Sequence, residues 1–216
     1  MRRKSRLVTS LLVCSSIVAT PAFADKKCRP SPRGTVCLAS VPFQRFAQSA
    51  YQPQSLPEWC WAACISMVFR FYGHPVAQAR IVKEAYGVVA NVPAGSGFVI
   101  AKQINRRWID DNGAKFTARL EGAYDFDARV LTVDNAAIAQ ELEDNHPVIM
   151  GNATHALVVT AIEYFDTPEP TISSVGVFDP WPGIGPRSLS PAEMVPMRLR
   201  GQLRFLATVE VVDGWD

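Results

Sequence analysis

The chain has 216 residues, 48% of them apolar and 19% charged, against about 25% charged in an ordinary globular domain. That composition is enough to bury a core and excludes a disordered tail. The 22 Lys and Arg against 20 Asp and Glu look faintly basic, but Arg2, Arg3, Lys4 and Arg6 fall in an expected leader, and without them 18 basic residues face 20 acidic ones. With no Lys/Arg run interleaved with aromatics, nucleic acid and an anionic membrane surface are excluded as partners. Oligomeric state is not readable.

Residues 1–24 read as an export signal. Met1 to Arg6 is a positive start, residues 7–20 are a short apolar stretch, and Pro21-Ala22-Phe23-Ala24 ends in the small-x-small pattern of signal peptidase sites. Cleavage after Ala24 makes Asp25 the mature start. A membrane anchor would need about 20 apolar residues, and Ser10, Ser15, Ser16 and Thr20 interrupt this run. A lipidated Cys14 is disfavoured by Val13, where a small residue belongs. The expected compartment is periplasmic or extracellular, with no membrane contact after cleavage.

Removing Cys14 leaves Cys28, Cys37, Cys60 and Cys64 for an oxidising compartment. Two prolines and a glycine lie between Cys28 and Cys37, a turn that predicts a disulfide. Cys60 and Cys64 are one helical turn apart, not aligned for bridging. Zinc is the rival use of four cysteines, but these spacings are not those of paired structural zinc knuckles.

In chain order, residues 25–48 are Pro-rich and basic with little periodicity, and read as an arm ahead of a single catalytic domain over 49–216. The first helix starts at the Pro57 to Trp61 segment, where Trp61, Cys64, Ile65, Val68 and Tyr72 form an apolar stripe that Gly73 ends. A second helix spans 78–86, closed by Gly87, and a third spans 98–108, stopped by Asn112-Gly113. Strands follow over 116–124 and 130–133, then a helix over 135–144. Further strands cover 147–151, 155–164, 175–178 and 203–212. Helices first and a mostly antiparallel sheet afterwards predict an α+β fold, in which a helical half meets a sheet half at a cleft.

A thiol acts as a nucleophile only as thiolate, so a reactive cysteine belongs where charge is stabilised, as on the first turn of a helix. Cys60 has that place. Cys64, a turn deeper in an apolar face, reads as core. Of the histidines, His74 lies between a helix-ending glycine and Pro75 and reads as an exposed loop residue, and His146 follows a charged turn and also reads as exposed. His155 opens a long apolar strand. Taken alone it reads as a structural histidine rather than a proton carrier.

The segment Gln54-Ser55-Leu56-Pro57-Glu58-Trp59-Cys60-Trp61-Ala62-Ala63-Cys64 resembles the nucleophile segment of papain-like cysteine peptidases. His155-Ala156-Leu157-Val158-Val159 resembles their histidine strand, and Val177-Phe178-Asp179-Pro180-Trp181 the turn carrying their third residue. The string from Gln54 to Gly73, with Asp-Pro in the third motif, is closer to compact bacterial branches: bacteriocin-leader-processing peptidases and papain-like avirulence proteases of plant pathogens. The resemblance implies a papain-like fold, a protein or peptide substrate and no cofactor. It implies Cys60 as nucleophile, His155 as proton carrier, Asp179 holding the far ring nitrogen, and Gln54 with the Cys60 N–H meeting the oxyanion. His155 lies 95 residues after Cys60, short of the roughly 130 of plant and lysosomal papains, so their subsites do not transfer. The arm is also too short for an inhibitory pro-domain of their kind.

Other signatures are absent: Ala94-Gly95-Ser96-Gly97 is not a G-x-S-x-G elbow, and no P-loop, dinucleotide fingerprint or His-Glu-x-x-His occurs, so no cofactor or metal is expected. Asn152-Ala153-Thr154 matches a glycosylation triplet that an edge turn explains equally well. Two readings stay beside the peptidase: thioester chemistry on a non-peptide amide or transfer to an amine, and an idle module that only holds a peptide.

Overall fold

The computed structural model describes residues 26–215; the expected leader lies outside them. The chain runs β1 (Lys27–Ser31), β2 (Gly34–Ser40), α1 (Phe43–Arg45) continued by a π turn (Phe46–Ala50), α2 (Cys60–Phe71), α3 (Gln78–Tyr86), α4 (Gly97–Gln103), β3 (Arg106–Ile109) and β4 (Lys115–Asp125). It continues through β5 (Val130–Leu131), α5 (Asn135–Glu143), β6 (Val148–Gly151), β7 (Ala156–Phe165), β8 (Thr171–Asp179), β9 (Gly185–Ser188), α6 (Pro191–Met194), a 3₁₀ turn (Met197–Leu199) and β10 (Phe205–Asp213). This is the α+β layout read from the sequence, with most helices ahead of most of the antiparallel sheet and a two-stranded hairpin of that sheet before them.

Ten of the twelve residues of α2 are buried, and only Cys60 at its start and Arg70 near its end reach solvent. A helix apolar on every side belongs inside, and α2 packs against β7 and β6 on the sheet side and against α3 and α4 on the other. The thiol stands at an accessible end of this otherwise buried helix. The helix α3 spans the residues its period predicts and stops at Gly87, whose φ of 76° is the left-handed cap that glycine adopts without cost.

Strand order is β1-β2-β7-β6-β10-β4-β3, with β8 on β7, β9 on β8 and β5 on β4, and these pairings are all antiparallel. Along one edge of β7, β6 covers residues 156–159 and β2 covers 161–165, while β8 runs down the other. The start of β7, where His155 stands, is therefore held between β6 and the end of β8 near Asp179.

Two segments depart from their sequence reading. The segment over 25–48 was expected as an arm without periodicity; its residues 27–40 form a hairpin that extends the sheet through β2 and β7. Cys28 and Cys37 face each other across it and are joined by a disulfide, the pairing the turn predicts. The third helix was expected over 98–108, but α4 ends at Gln103 and residues 106–109 form β3. The burial of Arg106, Arg107, Trp108 and Ile109 alternates with period two. Asn112-Gly113, read as a helix stop, is the turn of the β3–β4 hairpin: Asp110 Oδ1 accepts from Asn112 N and Ala114 N, and Gly113 has φ 87°. No helix of the described residues is long and apolar enough to cross a membrane.

Candidate active site

The chain before α2 is fastened at several points before it reaches Cys60. The buried Gln78 side chain donates to Pro53 O at 2.9 Å and accepts from Ser55 N at 2.9 Å. Gln54 N donates to Pro180 O at 2.7 Å, tying this loop to the turn after Asp179. Trp59 and Trp61, on either side of the thiol, donate through their indole nitrogens to Ala90 O at 2.9 Å and Val92 O at 3.2 Å. Burying two indoles against the α3–α4 loop places that loop beside Cys60. Their role is absent from the motif reading; apolar residues on both sides of a first-turn cysteine were the available signal.

His155 is presented by a side-chain turn. Asn152 Oδ1 accepts from Thr154 N at 2.9 Å and His155 N at 2.8 Å, so the glycosylation-like triplet is the β6–β7 turn. His155 Nε2 bonds Asp179 Oδ1 at 2.7 Å, and the Cys60 thiol shares its cleft, near enough to act on the ring's proton. With Nε2 taken by Asp179, Nδ1 is the nitrogen left for sulfur. Trp181 meets the imidazole edge-on at 6.2 Å between centroids. The structure thus brings Cys60, His155 and Asp179 together from α2, the start of β7 and the end of β8.

Burial alone would lower the His155 pKa, but bonds to Asp179 and Cys60 outweigh it and raise it to about 9. For Asp179 burial pushes up, yet the bonds from His155, Trp181 N and Arg187 hold the carboxyl below its ordinary range. Cys60 is half-buried and free, whereas Cys64 is sealed in the core, and burial pushes its thiol well up. A thiol that stays protonated is no nucleophile at neutral pH.

Behind Asp179 stands a cation that the motifs did not indicate. Arg187 Nε donates to Asp179 Oδ2 at 3.0 Å, and its two terminal nitrogens fork onto Glu193 at 3.1 and 2.7 Å. Glu193 closes a capping box with Ser190 at the start of α6, and the Arg187 bonds above all lower its pKa to about 2. The spacing Ser190-Pro191-Ala192-Glu193 is a legible capping signal, although its link to Asp179 is not.

Gln54 is buried. Its Nε2 donates to Leu56 O at 3.1 Å and Pro57 O at 2.7 Å, while Oε1 has no partner. Both amide hydrogens are thus engaged with the loop leading to Cys60.

The thiol and imidazole open onto a cleft of about 500 Å³ between the α3–α4 loop and the β6–β7 turn, with Asp125, Asp127 and Arg204 at its far side. A larger hollow of about 650 Å³ among Leu131, Ile138 and Leu206 has no cysteine or histidine in its walls.

The other two histidines have different surroundings. His74, read from the sequence as an exposed loop residue, is buried, with Nδ1 3.2 Å from Asp110 Oδ2, Nε2 2.8 Å from Asp213 Oδ1, and its ring stacked on Phe116 at 4.4 Å. Its partners lie 36 and 139 residues away, beyond any local pattern. His146 is half-buried, its Nδ1 3.0 Å from Glu141 Oε2.

The profile described as "Peptidase_C39 like family" matches residues 41–188. No curated protein matches the chain in sequence. Among solved structures, the peptidase domain of Streptococcus ComA, a bi-functional ABC transporter involved in a quorum sensing pathway, is 15% identical with a TM-score of 0.43, covering 76% of this chain and 97% of that one. UfSP from C. elegans is 13% identical with a TM-score of 0.45, covering 91% of this chain; the chain spans 36% of that protein's length.

Proposed function

The chain belongs to the Peptidase_C39 like family, and on that premise we propose that it is an exported papain-like cysteine peptidase that hydrolyses peptide bonds through Cys60, His155 and Asp179. In this reading residues 1–24 are a cleaved signal, and 25–48, with the hairpin over 27–40 that extends the sheet, lead into the catalytic domain over 49–216, acting on protein or peptide substrates outside the cytoplasm. The Cys28–Cys37 disulfide suits an oxidising compartment.

The observation that carries the reading is one imidazole that shares a cleft with the half-buried thiol opening α2 and is bonded on its other side to a buried carboxylate at 2.7 Å. Proton transfer from Cys60 to His155 makes a thiolate–imidazolium pair, favoured by the free N–H groups of the α2 start and by Asp179. The thiolate adds to the scissile carbonyl carbon. His155 then passes its proton to the leaving amine, and a thioester remains. Water, giving a proton to His155, hydrolyses that thioester and frees the acid and the thiol. Asp179 keeps the Nε2 hydrogen in place throughout.

The Cys60 N–H and Gln54 are assigned to the oxyanion. For Gln54 this asks one amide hydrogen to leave Leu56 O or Pro57 O when substrate binds, and the unpartnered Oε1 leaves that amide without a bond on its oxygen side to break.

The test is peptide mapping of the mature protein after iodoacetamide treatment at pH 6, together with a cleavage assay on denatured proteins. Fast alkylation of Cys60 over Cys64 with cleavage is the expected result. Alkylation without cleavage of any protein moves the activity to a non-peptide amide or to acyl transfer. Slow alkylation of Cys60 reduces the site to a peptide-holding module.

A further inference from the structure

We propose that Arg187 is a positioning residue of this site, a cation that fixes the Asp179 carboxylate toward His155 and shares its charge, and that Glu193 sets how much of that cation Asp179 receives. The inference rests on the cysteine peptidase reading for its consequence in turnover, but its geometry stands apart from it. In the β8–β9 hairpin Arg187 pairs with Val177 and Gly185 with Asp179, so side chains 177, 179 and 187 share one face and Arg187 reaches Asp179 diagonally. The Asp179 oxygens are divided: Oδ1 accepts from His155 Nε2 and Trp181 N, and Oδ2 accepts from Arg187 Nε. A carboxylate held at both oxygens cannot rotate away from the imidazole.

The guanidinium is planar, with donors on separate edges, and it uses one edge for Asp179 and the other for Glu193. Lysine, a point charge, cannot serve both in this way. Charges then alternate from the Cys60 thiolate through His155, Asp179 and Arg187 to Glu193. The other titratable side chains sensing Asp179 are Tyr51 and Cys64, both neutral at working pH, and Trp181 contributes only its N–H. Arg187 is therefore the cation that offsets Asp179 from behind. Without it the carboxylate would hold the imidazolium more tightly, and that proton has to leave for the amine.

The experiment reads the upper inflection of Cys60 alkylation by iodoacetamide against pH, followed by mass spectrometry, in Arg187→Gln, Arg187→Lys and Glu193→Gln, with kcat and KM where a substrate is in hand. Arg187→Gln should move the inflection upward by on the order of 0.5 pH unit and lower kcat about tenfold at unchanged KM. Glu193→Gln should move it downward, because Arg187 then spends its charge on Asp179 alone. Arg187→Lys should return the inflection to near the parent value while recovering kcat only partly. Inflections that stay fixed in both neutral variants, or that move in the same direction, overturn the proposal, since a merely structural role gives no opposed shifts. If circular dichroism shows Arg187→Gln unfolded, Glu193→Gln and Arg187→Lys decide the matter. A protein that cleaves nothing but shows the opposed shifts sinks the peptidase reading and leaves the positioning role standing.

Discussion

His155 and His74 are both set against aspartates, and the difference between them is what each offers its second nitrogen. His155 has one nitrogen on Asp179 and leaves the other for the Cys60 thiol that shares its cleft. His74 has a carboxylate on each nitrogen, a phenyl ring stacked on its face and no thiol. The two clusters have similar group chemistry, yet only the first has a partner that can gain or lose the proton to a substrate. The second is a hydrogen-bonded clasp joining the end of α2 to the β3–β4 turn and to the end of β10. A histidine–aspartate pair is thus no evidence of catalysis until the remaining nitrogen is accounted for.

The largest effects expected fall on the first cluster. Cys60→Ala and His155→Ala should each lower kcat/KM by at least about 10⁴-fold, and the double variant should lose little more, because the two groups act as a unit. Near-additive losses on any substrate would break the comparison by showing that His155 acts apart from the thiol. Neither change removes a large apolar side chain, so thermal unfolding should stay near that of the parent.

Next is the carboxylate. An amide oxygen at position 179 can still accept the Nε2 hydrogen, so Asp179→Asn should retain activity, reduced roughly 10- to 100-fold. Activity needs the imidazolium, which is present below its pKa and lost as pH rises through about 9. The alkaline limb of kcat/KM should therefore fall near pH 9 in the parent. In Asp179→Asn it should fall at lower pH, since the carboxylate is one of the groups that raises His155. A limb that stays in place would remove Asp179 from the proton's electrostatics.

The contrast between these clusters also marks what a sequence can carry. Cys60 stands at a legible helix start, whereas the Asp-Pro turn of Asp179 and the strand opening at His155 are ordinary patterns taken singly; it is the resemblance of the three ordered motifs together that singles these residues out. The α3 period with Gly87 at its end is local in the way the Cys60 helix start is. His74 is held by residues contributed from β10 and from the β3–β4 turn, and Arg187 meets Asp179 only because β9 folds back on β8. The β3 strand was missed because the Arg-Arg pair before Trp108 extends a helical stripe from α4 as readily as it begins an alternating strand. In the hairpin over 27–40, β1 is exposed and has too few apolar residues to announce itself, and its disulfide to β2 and the pairing of β2 with β7 supply the partners.

A third prediction sharpens the clasp. His74→Ala leaves Asp110 buried with only its backbone donors, and it should lower folding stability by about 2 kcal/mol, read as a shift in urea midpoint. Cys60 alkylation should be unchanged. For Asp110, burial would raise the carboxyl pKa, but bonds from Ala114 N, His74 and Asn112 N pull it below the ordinary 3.8. Its stabilisation is thus present above pH 3.8 and lost as pH falls through the lowered value. Acid unfolding of His74→Ala should show less of that dependence. Altered Cys60 reactivity in a folded His74→Ala protein would mean that the two clusters are coupled through α2.

The smallest effect is expected at His146, which separates burial from pairing as the cause of the clasp's strength. It has one carboxylate partner, Glu141 at 3.0 Å, and its side chain is 33% exposed, against 9% for His74. The Glu141 bond first, then nearby acidic charge, raises its pKa above the ordinary 6.5 against the opposing effect of burial. A raised histidine contributes stability fully below pH 6.5 and loses it as pH rises through the folded value. Solvent screens such a half-exposed pair, so His146→Ala should cost about 0.5 kcal/mol at pH 5.5 and less at pH 9, measured by urea midpoints at both values. A cost at pH 5.5 as large as that of His74→Ala would show that a single carboxylate contact, not enclosure between two, is what makes a histidine structural in this fold.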